Sequence, residues 1–252
     1  MRYKNINEVI TSLQSITAYS KLHNMRMGYF AALYTRMTIA VKKGIEDGMF
    51  EDAARMELLD ICFAERYISA WECYSNKKPC TQSWQYAFDS TSNSSNIVLQ
   101  HLLLGINTHI NLDLAIAAAT IAPGAKIDAL EKDFNCINNI IASLIDDVQE
   151  CLSQVWFPMR LLTKIVNGKH EAVLNFSIDK ARAAAWSNAV LLANMTEAQQ
   201  NVHIKAMDNL VRKVACGIEN PGSWTKLLLK LVRKTEFDDP QRTIHLIETI
   251  VV

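Results

Sequence analysis

Gln100-His101-Leu102-Leu103-Leu104-Gly105-Ile106-Asn107-Thr108-His109-Ile110-Asn111-Leu112-Asp113-Leu114 lies inside an almost continuously apolar run, Ile97 to Ile121. Such a helix is buried nearly all round. Yet it carries two His, two Asn and an Asp, and each polar group taken from water without a partner costs roughly 1–3 kcal/mol. These side chains must therefore meet one another, another helix, water, a metal or a substrate. The run predicts a helical core and puts the candidate site inside it.

Helix geometry sorts the polar residues. At about 100° per residue, His101, Gly105, His109 and Asp113 fall within one arc of about 120°, and Asn107 and Asn111 lie on a different face. His109 and Asp113 are one turn apart, close enough to share a ligand or to bond directly. His101 is two turns from His109, about 12 Å by rise. An unbroken helix cannot put both imidazoles on one metal, although a bend at Gly105 would change that. His109 with Asp113 reads as part of a site for a divalent metal ion, with His101 as a further ligand, or as a general acid–base pair. Asn107 and Asn111 would orient substrate or support the site. The competing reading is a buried polar network that fixes helix packing.

Around this run, helical periodicity dominates. A short helix is expected at Ile6–Thr17, and another from about Met25 to Lys43, stopped by Gly44 and Gly48. Asp52 is the N-cap expected for a long helix to about Tyr74. A short helix surrounds Trp84 to Phe88, and Pro123-Gly124 closes the central run. Asp128 to Trp156 reads as a long amphipathic helix, Pro158 starts another that Gly168 ends, and Ser177 caps an Ala-rich helix. Thr196 with Gln199 forms a capping-box pattern, and Asp239-Pro240 opens the last helix. Runs of alternating β-branched residues are absent. The fold class is all-α, a single compact domain of about nine to eleven helices spanning 1–252.

Composition narrows the function classes. The 252 residues carry 26 basic and 26 acidic side chains, which leaves no electrostatic footprint for nucleic acid. Half the chain is hydrophobic, too much for disorder. Six cysteines without C-x-x-C spacing fit a reduced, cytoplasmic protein. The polar stretch Met1–Asn7 is not read as a secretory signal, and no segment is expected to span a membrane.

The sequence Leu103-Leu104-Gly105-Ile106-Asn107-Thr108-His109-Ile110-Asn111-Leu112-Asp113-Leu114 resembles the signature of a family of bacterial proteins catalogued only as a domain of unknown function. In that family Gly-Ile/Met-Asn-x-His-Ile-Asn-x-Asp-Leu is the central motif. Phe30 to Tyr34, Met56 to Asp60 and Leu174 to Ser177 resemble it too, so the likeness covers most of the chain. It implies a helical fold and brings no assigned reaction.

Other features carry weaker signals. Asp60 falls inside the apolar stripe of Met56, Leu59, Phe63, Tyr67 and Trp71, so it is expected to be paired or shifted in pKa. Arg26 and Arg182 are the expected partners, and Glu65 is expected on the solvated side. Asp146-Asp147-Val148-Gln149-Glu150 resembles the magnesium-binding aspartate-rich motif of class I terpene synthases. Asp146 and Glu150, however, lie opposite that helix's apolar stripe, and no second metal motif follows. Trp224 to Lys234 is a basic amphipathic helix, expected to pack on the core, with an anionic membrane surface as the alternative. No nucleophile elbow, phosphate-binding Gly-rich loop, H-E-x-x-H or paired E-x-x-H motif is present.

The leading expectation is an enzyme acting on a small, largely apolar molecule between helices, with His109 and Asp113 at its polar heart and Asp60 as a further member. The rival is a non-catalytic helical module that binds a ligand or partner.

Overall fold

The computed structural model describes residues 2–137, 140 and 178–249. The Asp146–Glu150 motif, Cys151, His170 and the expected boundaries at Trp156, Pro158, Gly168 and Ser177 lie outside the described residues.

Side chains close the helix ends that the sequence marks. Asn5 accepts from the Glu8 N–H at 3.0 Å to open α1 (Ile6–Leu22). Asp52 accepts from the Arg55 N–H at 2.9 Å to open α3 (Ala53–Ser75). Each bond satisfies an N–H that the helix itself leaves without a partner. Between them, α2 (Gly28–Glu46) starts later than its apolar pattern suggests, because Met25 and Arg26 are spent in the preceding turn. It does not stop at Gly44, as expected, but runs through it, because Gly44 there makes room for Ile140, whose Cδ1 would stand 2.9 Å from a Cβ; it ends before Gly48, whose φ of 69° lies in the left-handed region that glycine enters freely. α4 spans Gln82–Asp89.

The apolar run is not one α-helix. It divides into α5 (Val98–Thr108), a π-wound turn His109–Leu114 and α6 (Ala115–Ile121). A π turn bonds i to i+5 and takes in an extra residue, so α6 presents faces turned by about 100° from the register of α5. The insertion falls on the stretch that carries His109, Asn111 and Asp113. Gly105 does not bend the helix. It makes room for Phe30, whose Cδ2 would stand 2.5 Å from a Cβ at this position.

Beyond α6, the helix expected from Asp128 is preceded by a 3₁₀ turn, Gly124–Leu130, and α-helical winding begins only at 131. α7 (Ile178–Ala193), α8 (Glu197–Glu219), α9 (Ser223–Thr235) and α10 (Pro240–Glu248) complete the described order. The Thr196–Gln199 capping box and the Asp239 N-cap are both formed. Every regular element among the described residues is helical.

The α5–π–α6 rod runs through the middle, with α2, α3, α4, α7 and α8 packed around it. Leu102, Leu112, Leu114 and Ala115 are buried, and each leucine so buried contributes roughly 1.5–3 kcal/mol. The small residues Ala115, Ala118 and Ala119 share one core cluster with Ala185 and Ala189 of α7. By length and composition alone Val98–Ile121 is apolar enough to cross a membrane, but 78% of its most apolar window is buried among the other helices.

Candidate functional site

Asp113 is 1% exposed, and both of its carboxylate oxygens are engaged. Oδ1 accepts from Arg66 Nε at 2.9 Å. Oδ2 accepts from Trp84 Nε1 at 2.8 Å and faces His109 Nδ1 at 3.1 Å. The site therefore joins α3, α4 and the π turn.

The charges follow from this geometry. Burial alone would raise the Asp113 pKa, but the Arg66 guanidinium, helped by the His109 and Trp84 hydrogen bonds, overcomes it and holds the carboxyl below its usual range. Burial lowers the His109 pKa, and the bond to Asp113 only partly offsets this. The pair is thus a neutral imidazole donating Nδ1–H to a charged carboxylate. That tautomer leaves the lone pair on Nε2. Nε2 is buried and has no hydrogen-bond partner among the described residues.

Aromatic rings surround the imidazole. Phe63 stacks on it with centroids 3.6 Å apart and planes 8° apart, and Tyr34 meets it edge-on at 4.3 Å. Phe30, Tyr67 and Trp84 stand at 5.7–6.1 Å. Phe63 is the one ring of this cage that is only half-buried. On the carboxylate side a cleft of about 430 Å³ opens, lined by Arg66, Trp84 and Asp113 together with Cys62, Cys73 and Cys80. That volume suits a small molecule.

The other candidates lie elsewhere. Asn107 Nδ2 donates to the Val211 carbonyl at 3.0 Å, and Asn111 Nδ2 donates to Asn107 Oδ1 at 3.1 Å. Together they tie the rod to α8. His101 sits beside Tyr29, both its ring nitrogens lack hydrogen-bond partners among the described residues, and burial takes its pKa down to about 4. Asp60 is buried near the Tyr34 hydroxyl and has no arginine partner among the described residues. Arg26 pairs with Asp238 at 2.7 Å, while Arg182 lies over the Phe134 ring and donates to the Phe134 carbonyl. The Asp60 carboxyl is pushed up to about 7, first by burial and then by the charge of Glu57. Glu65 is not simply solvated: its carboxylate accepts the backbone N–H groups of Arg2 and Tyr3.

The donor set does not fit a divalent metal ion. Arg66 already occupies the cation's place at Asp113, and N–H groups fill the second oxygen. Among the described residues no three His, Cys, Asp or Glu side chains converge. The same residues form no disulfide, and Cys62, Cys73, Cys80, Cys136 and Cys216 are free thiols.

Arg66, Trp84 and Phe63 are the site residues that sequence reasoning missed in this role. The available signal was a charge argument: a lone aspartate in a core helix demands a cation. Arg66, between Phe63 and Tyr67 on the amphipathic helix α3, answers it.

The model of a family described as a family of unknown function, DUF5995, matches residues 6–221 of the chain. No curated protein and no solved structure matches it.

Proposed function

Since the chain belongs to the DUF5995 family, a family of unknown function, we propose an activity from its own side chains: general acid–base chemistry by His109 on a small, largely apolar molecule. One observation carries the reading. The His109 Nδ1–H is fixed by a carboxylate that Arg66 keeps ionised, while Nε2 is left inside the protein with a lone pair and no donor among the described residues.

In this reading Asp113 sets the tautomer and orientation of the ring and stabilises the imidazolium that forms when Nε2 takes a proton. The proton comes from an acidic O–H or C–H of the substrate and is returned to the product from the same nitrogen. Substrate enters along the cleft of about 430 Å³ beside Arg66 and Trp84. Nε2 becomes accessible when Phe63, half-buried and stacked on the imidazole, turns aside. The cage of aromatic rings keeps water out and favours an apolar ligand.

The test is a screen of small aromatic and aliphatic compounds against the ¹⁵N resonances of the His109 ring. Compounds that shift Nε2 in the wild type should fail to bind folded His109→Gln. Any turnover found with them should vanish in that variant. If no compound moves the resonance, also after Phe63→Ala opens the cage, the acid–base reading falls.

A second reading has its own support. Asp113 is fully satisfied and Phe63 stacks closely on His109, as expected of a network that only locks α3, α4 and the π turn together. It predicts that all such compounds leave the site untouched.

A further inference from the structure

Helix α9 has two different apolar faces. On one, Val232 is buried and Leu228 and Leu229 are half-buried against the rest of the fold. Arg233 adds a clamp there, bonding the Ser94 carbonyl at 2.6 Å and Asp238 at 2.8 Å. On the other, Trp224, Leu227 and Leu231 are 81%, 52% and 55% exposed. At about 100° per residue these three share an arc of about 60°. Beside them Lys226, Lys230 and Lys234 recur every fourth residue and are exposed as well. The helix, Ser-Trp-Thr-Lys-Leu-Leu-Leu-Lys-Leu-Val-Arg-Lys-Thr, carries no acidic side chain. The expectation that its apolar side packs wholly on the core is therefore corrected: the core takes the Val232 side and leaves the Trp224 stripe outside.

We propose that the outer face of α9 docks the protein on an anionic lipid bilayer. The apolar stripe would enter the boundary between headgroups and acyl chains, and the lysine row would lie over the headgroups. Charge complementarity selects this occupant. The chain as a whole is neutral, with 26 basic and 26 acidic side chains, so three exposed lysines in one row are a local concentration and not a property of the whole surface. A second copy docking through the same face would bring the two lysine rows together, which like-charge repulsion opposes. An anionic membrane satisfies the lysines and the stripe at once, and an exposed tryptophan is a favoured side chain at the membrane interface. The helix also lies beyond residues 6–221, outside the span of the family match. The proposal is independent of the His109 site.

The experiment is co-sedimentation of the full chain with vesicles of phosphatidylcholine, with and without phosphatidylserine. Binding is expected only with phosphatidylserine and should weaken as salt is added. Each lysine near an anionic surface is worth roughly five-fold in partition, so Lys226→Gln/Lys230→Gln/Lys234→Gln should lower binding by roughly a hundred-fold. Trp224→Ser/Leu227→Ser/Leu231→Ser should abolish it. Both variants change exposed positions, so unchanged circular dichroism and Tm will show that the fold is intact. Lack of sedimentation with phosphatidylserine vesicles overturns the proposal, as does binding that neither variant reduces. A concentration-dependent dimer that only the serine variant dissolves, without lipid binding by the wild type, assigns the face to a second copy instead.

Discussion

The Nδ1–H of His109 meets Oδ2 of Asp113 at 3.1 Å, with the imidazole neutral and the carboxylate charged. The two are held four residues apart on a π-wound turn, in a helix that otherwise consists of ordinary α turns. The charge of Asp113 is balanced by Arg66, and the imidazole contributes a hydrogen bond.

This division of roles predicts unequal costs. Arg66→Met leaves Asp113 buried without its cation and should destabilise by about 3 kcal/mol, the usual cost of breaking a buried pair from one side. His109→Phe keeps the ring in its aromatic cage and leaves Asp113 with Arg66 and Trp84, so it should cost no more than about 1.5 kcal/mol. Urea unfolding of the two variants measures both. A larger loss for His109→Phe would show that the imidazole is the structural keystone and Arg66 secondary.

Asp60 makes stability depend on pH near neutrality. Its folded pKa is about 7, against an ordinary value of 3.8. The native state thus favours the protonated carboxyl. The contribution is fully present below about pH 4 and is lost as pH rises through 7, at about 1.4 kcal/mol per unit. Asp60→Asn imitates the protonated form. It should match the wild type at pH 4 and exceed it at pH 8 by at most about 4 kcal/mol, as read from urea midpoints. Equal midpoints at pH 8 would mean that the carboxylate finds a partner.

Gly105 tests how tightly the rod is packed on α2. A Cβ at this position would stand 2.5 Å from both Cγ and Cδ2 of Phe30, a ring that also borders His109. Alanine is the better helix former by about 1 kcal/mol, but overpacking a core costs typically 1–3 kcal/mol. Gly105→Ala should therefore destabilise, and it should shift the His109 ring resonances through Phe30. A variant of raised Tm with an unmoved imidazole would show that α2 gives way freely.

Much of the fold was legible because it rests on local rules. The caps at Asp52, Thr196 and Asp239 and the stop at Gly48 are properties of short stretches, and the structure forms each of them. The π turn was not legible, because i to i+5 winding leaves the apolar pattern of Ile97–Ile121 unchanged. His109 with Asp113 was legible as a pair, since four residues put them together on either winding. Their partners were not: Arg66 and Trp84 lie on α3 and α4, and only tertiary packing brings them to Asp113. The same blindness to tertiary contacts made Arg26 and Arg182 seem natural partners for Asp60, when Asp238 and Phe134 hold them instead.

His101 predicts the response to acid. Both ring nitrogens are buried without hydrogen-bond partners among the described residues, beside a small cavity of about 20 Å³ next to Arg26 and Thr91, room for about one water molecule. Burial first, and then the charge of Arg26, lowers its folded pKa to about 4, below the ordinary 6.5. The native state therefore favours the neutral ring. That contribution is fully present above pH 6.5 and is lost as pH falls toward 4, about 3 kcal/mol over the interval. His101→Leu removes the titration, and it gives up no hydrogen bond because the ring makes none among the described residues. Wild type and variant should have similar urea midpoints at pH 7.5, and the wild type should fall progressively below the variant between pH 6.5 and 4. His109 and the carboxylates titrate in both proteins, so the difference between the two curves isolates His101. Parallel curves would mean that the imidazole is protonated inside the fold and paired with an acidic group.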